Sequence, residues 1–123
     1  MWMLRTFYFL PCDLMHQHAM EVRRRLDKGE IRDGLPEQYI TYMLYWLGGL
    51  FVVAEGWREL KINDSAIDKM LTEHCDSLRL FRNAVFHFQL TDRKHVQFFD
   101  PEKFNWATRL HLAIRAYFAA KDR

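Results

Sequence analysis

A fixed cation, an amide and a titratable imidazole stand within six residues of one another in Arg82-Asn83-Ala84-Val85-Phe86-His87, a stretch otherwise given to apolar side chains. A guanidinium stays charged and presents a planar fork of donors to phosphate oxygens. An imidazole ordinarily titrates near neutrality, which suits a general base or acid. Together such groups could hold a phosphate and move a proton, with Arg82 doing the first, His87 the second and Asn83 orienting one or the other by hydrogen bonds. Arg79, four residues before Asn83 and so on its helical face, would supplement phosphate binding. The plainer reading takes the Arg and His as a solvated cation and a satisfied imidazole, and Arg79 as an ordinary surface charge.

Geometry limits what one helix can do with these residues. At about 100° per residue Asn83 and His87 share a face, whereas Arg82 and His87 diverge by about 140°. Either the long Arg82 side chain curls around the helix, or two copies of the helix meet across a symmetry axis and line one cleft.

Four helical segments position these residues. The first opens at Pro11 and carries Leu14, Met15, Ala19, Val22 and Leu26 at three-to-four spacing until Gly29 closes it. The second starts at Gly34-Leu35-Pro36-Glu37, with an acid in its first turn, and runs to about Leu60. The third starts near Asn63-Asp64-Ser65, where Ser65 and Asp68 have capping-box spacing, and its stripe of Ile67, Leu71, Cys75, Leu78, Phe81 and Val85 predicts one helix to about Leu90. Asp100-Pro101-Glu102 caps the last, whose core face would be Phe104, Ala107, Leu110, Ile114 and Tyr117 or Phe118. Residues 91–99 form the connector before it. Period-two alternation is absent except for Met3–Leu10, which would pair only as an isolated strand. The expectation is a single all-α domain over residues 1–123, an antiparallel four-helix bundle. The second helix is apolar nearly all round, which predicts self-association, with the Gly48-Gly49 pair allowing close helix approach.

Composition sets outer bounds. With 123 residues, 50% of them apolar and 28% charged, the chain has the profile of one ordinary globular domain. A net charge of +2 is far from the basic balance that alone announces a nucleic-acid binder, so an RNA partner must be argued from a local site. Two cysteines, Cys12 and Cys75, without a disulfide framework, fit a reducing interior, and the expectation is a cytoplasmic protein. The apolar N-terminus holds Arg5 and closes at Pro11-Cys12-Asp13, too early for a signal peptide. The uncharged stretch 38–54, with its tyrosines and glycine pair, predicts a buried helix rather than a membrane span.

Other candidates are thinner. Cys12 and His16 share a helical face and His74-Cys75 would complete a ligand set, but His18 points elsewhere and no paired zinc spacing occurs, so no metal and no cofactor are expected. Arg23-Arg24-Arg25 wrap most of a turn, as a solvated face does, though they would also touch an RNA backbone. The aromatic residues of the second helix (Tyr39, Tyr42, Tyr45, Trp46, Phe51) read as core or interface before base-stacking platform. Phosphate-loop, His-Glu-x-x-His and serine-elbow motifs are absent from the sequence.

The Arg-Asn-x-x-x-His arrangement of Arg82, Asn83 and His87, in the third long helix of a small helical chain, resembles the signature of the HEPN superfamily. The resemblance covers about six residues in motif and most of the chain in helical layout. It implies a metal-independent endoribonuclease of toxin-antitoxin or defence type, with the arginine and histidine of two copies facing RNA across a homodimer cleft. It also implies a neighbouring antitoxin or regulatory protein as partner. Members silenced by a nucleotidyltransferase carry a tyrosine two positions after the histidine; here that position is Gln89. The superfamily also includes members that only bind nucleotide or act as scaffolds. The alternative is therefore a non-catalytic helical module for dimerisation or for binding nucleotide, RNA or protein.

Overall fold

The computed structural model describes residues 1–86 and 100–121, and among these every regular element is helical. In chain order they are a π-helical segment (Leu4–Phe9), α1 (Leu10–Asp27), α2 (Leu35–Glu59), α3 (Ser65–Glu73), α4 (Cys75–Phe86) and α5 (Pro101–Lys121). None of the described helices is long and apolar enough to cross a membrane.

The first helix begins earlier than its proline suggests. Residues 2–27 are continuously helical, which replaces the extended segment that alternation at Met3–Leu10 allowed. The wide π turn explains why Pro11 does not break it. Proline lacks an N–H, and its ring crowds the carbonyl four residues back, that of Phe7. Immediately before it the backbone is wound to an i→i−5 pattern, with the Leu10 N–H bonded to the Arg5 carbonyl, which makes room for the ring. At the other end Gly29 (φ 79°) stands just past the helix, and Gly34 (φ 81°) caps α2, both in the left-handed region that favours glycine.

The π segment and α1 run antiparallel along α2, and two glycines of α2 set their distance. Gly56 lies under Leu4 so closely that a Cβ there would stand 2.5 Å from Leu4 Cδ1, and Gly49 faces Cys12, where a Cβ would sit 3.4 Å from that of the cysteine. The ring contacts His18–Tyr42, which is stacked, and His16–Trp46, which is tilted by 60°, continue the same register. Gly48 is buried. The glycine pair expected to admit a second chain is thus occupied by this one, and α2 buries Leu47, Leu50, Val53, Ala54 and Trp57 inside the fold.

A single third helix was expected from Ser65 onward; the structure breaks it at His74 (φ −136°, ψ 35°). Two groups from distant parts of the chain cover the carbonyls thereby freed. The Trp106 indole N–H donates to the Met70 carbonyl at 2.8 Å, and Arg58 Nη2 donates to that of Leu71 at 3.1 Å. In a continuous helix those oxygens would accept from His74 and Cys75. The cap of α3 also lies one residue earlier than expected: Asp64 accepts from the backbone of Ala66 and Ile67, and Asp68 accepts from the Asp64 N–H. Asp100 caps α5 as its spacing predicts, accepting from the Glu102 N–H at 3.0 Å.

Trp46, Trp57 and Trp106 are the largest fully buried side chains, and each indole N–H finds an acceptor on another element. Burial of an indole without such a partner would cost about 1–3 kcal/mol. Ala107, Leu110, Ile114 and Phe118 of α5 are buried as expected, and His111 and Trp106 join them. Leu14, expected in the core, faces outward, and Cys12, His16, Ala19 and Val22 form the inner face of α1.

Candidate functional site

The described part of the Arg-Asn-x-x-x-His motif lies in the second half of α4. Arg82 is half-buried, and two of its donors converge on the neighbouring amide, with Nη2 2.9 Å and Nε 3.3 Å from Asn83 Oδ1. Its guanidinium carbon stands 4.7 Å from the centre of the Phe51 ring on α2. A planar cation laid on an aromatic face and held by an amide oxygen keeps one orientation, at a gain of about 0.5–2 kcal/mol for the ring contact. Arg79 does not join this group. It is solvent-exposed and lies 3.8 Å from Asp76. His87 and Gln89 lie outside the described residues.

The three consecutive arginines of α1 have local partners. Arg24 pairs with Glu21 and Arg25 with Glu30, while Arg23 lies 5.0 Å over the Phe104 ring and 3.9 Å from Asp27. A cleft of about 450 Å³ opens beside Arg23 between α1, α2 and α5, lined also by Tyr39, Met43, Phe104 and Asn105.

A second constellation, unforeseen from the sequence, joins α1, α2 and α5. Asp13 Oδ1 lies 2.8 Å from His111 Nε2 and accepts from Arg115 through Nε at 2.9 Å and Nη2 at 2.6 Å. Its other oxygen accepts from Gln17. The Trp46 indole N–H donates to His111 Nδ1 at 3.0 Å. Because an indole nitrogen only donates, His111 Nδ1 must accept, and the ring of the neutral imidazole carries its proton on Nε2, aimed at Asp13. Burial lowers the pKa of His111, against the opposing pull of Asp13. Burial alone would raise Asp13, but the hydrogen bonds and charges of His111 and Arg115 outweigh it and hold its carboxyl below the usual range.

His16 stacks on His111, with ring centres 4.3 Å apart, and lies 4.7 Å from Trp46. Arg115 Nη2 approaches its Nδ1 at 3.4 Å, and its buried Nε2 meets no hydrogen-bonding group among the described residues. Burial first, and the charges of His111 and Arg115 second, push its pKa down to about 4. Beside it the Cys12 thiol points at the Trp46 carbonyl at 3.4 Å, and burial pushes its pKa far up, so it stays protonated.

Asp13, His16 and His111 are metal-ligand types with candidate atoms within 4.8 Å of one another. Their bonding leaves a metal no place. A cation at His111 Nε2 would have to displace the proton that Trp46, by occupying Nδ1, keeps there, and Arg115 already supplies positive charge to the only carboxylate. His18 and His74, the other histidines considered as ligands, stand elsewhere: His18 against Tyr42, His74 against Trp106 and 3.6 Å from Glu102. The cluster is a polar lock between the first and last helices. The sequence carried half of its signal, since Asp13/Gln17 and His111/Arg115 are each one helical turn apart, but nothing in it links the two pairs.

No family model, no curated protein sequence and no solved structure matches this chain.

Proposed function

We propose that the protein is a small HEPN-like endoribonuclease that cleaves RNA without a metal, using Arg82 to hold the scissile phosphate, His87 to move the proton and Asn83 to orient them. The observation that carries this reading is the pairing of Arg82 with Asn83 over Phe51, which holds a guanidinium in one orientation before any phosphate arrives. In this reading α3 and α4 are one interrupted rod, so that with α1, α2 and α5 the chain is a four-helix up-and-down bundle of HEPN type. Two copies would share the cleft and a neighbouring antitoxin would restrain it, within the cytoplasm. These features rest on the resemblance of the motif.

A second reading takes the same arrangement as structural. A guanidinium already engaged by Asn83 and Phe51 ties α4 to α2, and the protein is then a non-catalytic helical module that binds nucleotide, RNA or another protein. Incubation of a mixed RNA pool in EDTA with the wild type, Arg82→Ala and His87→Ala, each shown by circular dichroism to be folded, separates the two. The ribonuclease reading expects cleavage by the wild type and at least a hundredfold loss in both variants, a typical scale for removing an acid–base group or a charge stabiliser. Folded wild type with no cleavage of any RNA favours the second.

A further inference from the structure

The cleft of about 450 Å³ between α1, α2 and α5 serves neither the ribonuclease reading nor the polar lock. Its volume falls within the about 300–1,000 Å³ of small-molecule sites. Leu26 and the buried Met43 line its apolar side, together with the half-buried rings of Tyr39 and Phe104. Phe104 is held by the fully buried Trp46, whose ring stands nearly perpendicular to it with centres 5.7 Å apart. Among the described residues that line the cleft two are charged, Arg23 and Asp27, one helical turn apart on α1. The Arg23 guanidinium lies 5.0 Å over the Phe104 ring, a contact that holds the cation but gives its N–H groups no lone pair to donate to. Its Nε stands 3.9 Å from Asp27 Oδ2, beyond hydrogen-bonding distance, so the two charges sit side by side without satisfying each other. Tyr39 adds a hydroxyl, whose pKa burial raises against the opposing pull of Arg23, and Asn105 adds an amide.

The neighbouring charges of opposite sign select the ligand. A simple anion would meet the Asp27 carboxylate as well as Arg23, and a phosphate group, with a charge of about −1.5 to −2, would find one cation to answer it. The start of α5 does not make up the difference, because Pro101 has no N–H and Asp100 already accepts from Glu102. An α-amino acid, by contrast, carries an ammonium and a carboxylate on one carbon, so its own charges stand side by side as those of the cleft do. We infer that this cleft binds a free aromatic α-amino acid, with Arg23 and Tyr39 donating to its carboxylate, Asp27 accepting from its ammonium, and its ring lying against Met43, Leu26 and Phe104. Each of the four charges then faces one of opposite sign, and the guanidinium fork suits the planar carboxylate. An aromatic ring fits walls of this kind, two of them aromatic and one a methionine that adapts its shape. The inference does not rest on the ribonuclease reading, because the cleft uses no residue of α4.

Isothermal titration calorimetry of the full chain tests it. L-Phenylalanine should bind saturably, one molecule per chain, with a dissociation constant below about 1 mM. Two analogues isolate its charges on the wild type alone: 3-phenylpropionate lacks the ammonium and phenylalaninamide lacks the carboxylate. Each should bind at least about tenfold more weakly, the scale of one hydrogen bond to a charged group. Arg23→Gln should erase the difference between phenylalanine and its amide and keep that between phenylalanine and phenylpropionate, and Asp27→Asn should do the reverse. Both side chains are exposed, so circular dichroism of the two variants should match the wild type. No binding of phenylalanine up to about 10 mM would overturn the proposal. So would tighter binding of phenylpropionate, of adenosine monophosphate or of L-leucine, or a ranking of the analogues that neither folded variant changes.

Discussion

Asp13 and His111 stand 98 positions apart in the chain and meet at 2.8 Å, so that the first long helix is tied to the last by a carboxylate that also accepts from Arg115. The Trp46 indole sets the protonation of that histidine from the opposite side, which makes α2 a party to the same lock. Two helices therefore share one charged carboxylate and a third joins through His111, and removal of the carboxylate leaves His111, Arg115 and Gln17 each without that acceptor.

Asp13→Ala should accordingly cost more than an ordinary surface charge. Breaking a buried pair from one side costs about 3–5 kcal/mol, and the partial exposure of Arg115 reduces the expectation to about 2–3 kcal/mol. Urea denaturation of Asp13→Ala, Arg115→Ala and the double variant should show a smaller loss for Arg115→Ala and clear coupling between the two. A loss for Asp13→Ala below about 0.5 kcal/mol, the range of ordinary surface changes, would contradict the lock.

Acid should loosen the same region before it touches most carboxylates. Unfolded, the His16 imidazole takes up a proton near its ordinary value of 6.5, whereas folded it does so only at about 4. Between these values the unfolded chain binds more protons, so stability is full above about pH 6.5 and falls as the pH drops toward 4. His111, also lowered, acts in the same direction, and Asp13, held below its usual value, extends the loss to lower pH. The His16 contribution is at most about 3 kcal/mol, since each tenfold change in proton affinity is worth about 1.4 kcal/mol. Urea midpoints of the wild type should fall between pH 7 and 4, and His16→Gln should flatten that slope; equal slopes in the two proteins would remove His16 from the account.

Gly56→Ala gives a sign test of the close approach of the first helix to α2. In an open helix this change stabilises by up to about 1 kcal/mol. Here the new methyl meets Leu4 Cδ1 at 2.5 Å, so the buried leucine must shift, and the helical gain is expected to vanish or to turn into a loss of up to about 1–2 kcal/mol, partly restored by adding Leu4→Ala. Gly49→Ala, with its nearest contact at an ordinary 3.4 Å, should be milder. Thermal melts of the three variants decide the matter, and a stabilised Gly56→Ala would refute the packing.

Trp106→Phe keeps most of the ring volume and deletes the hydrogen bond to the Met70 carbonyl. The expected cost is about 1–3 kcal/mol, the range for leaving a buried acceptor unmade. Hydrogen exchange should quicken at the junction of α3 and α4, around residues 70–78, more than in α1. Uniform quickening throughout the chain would show that the indole packs the core without governing the break.

The division of labour between chain and fold follows from range. Helix starts and stops were legible because they are local: Pro101 with the Asp100 cap, Pro36 after Gly34, and Gly29 each act on backbone groups within one turn. The Arg-Asn-x-x-x-His motif was legible for the same reason, as were most core positions of α5, which recur at helical spacing. Three features were not. The helix at 65–86 breaks because Trp106 and Arg58 take over two carbonyls, and no local propensity at His74 announces partners 36 and 13 residues from those carbonyls. The outward turn of Leu14 depends on the π turn before Pro11 and on which face of α1 the glycines of α2 accept. The lock of Asp13, His111 and Arg115 needs two turns of helix from opposite ends of the chain, each ordinary when taken alone. Short-range hydrogen bonds and steric limits are written in neighbouring residues, whereas partnerships across the core exist only once the helices have packed.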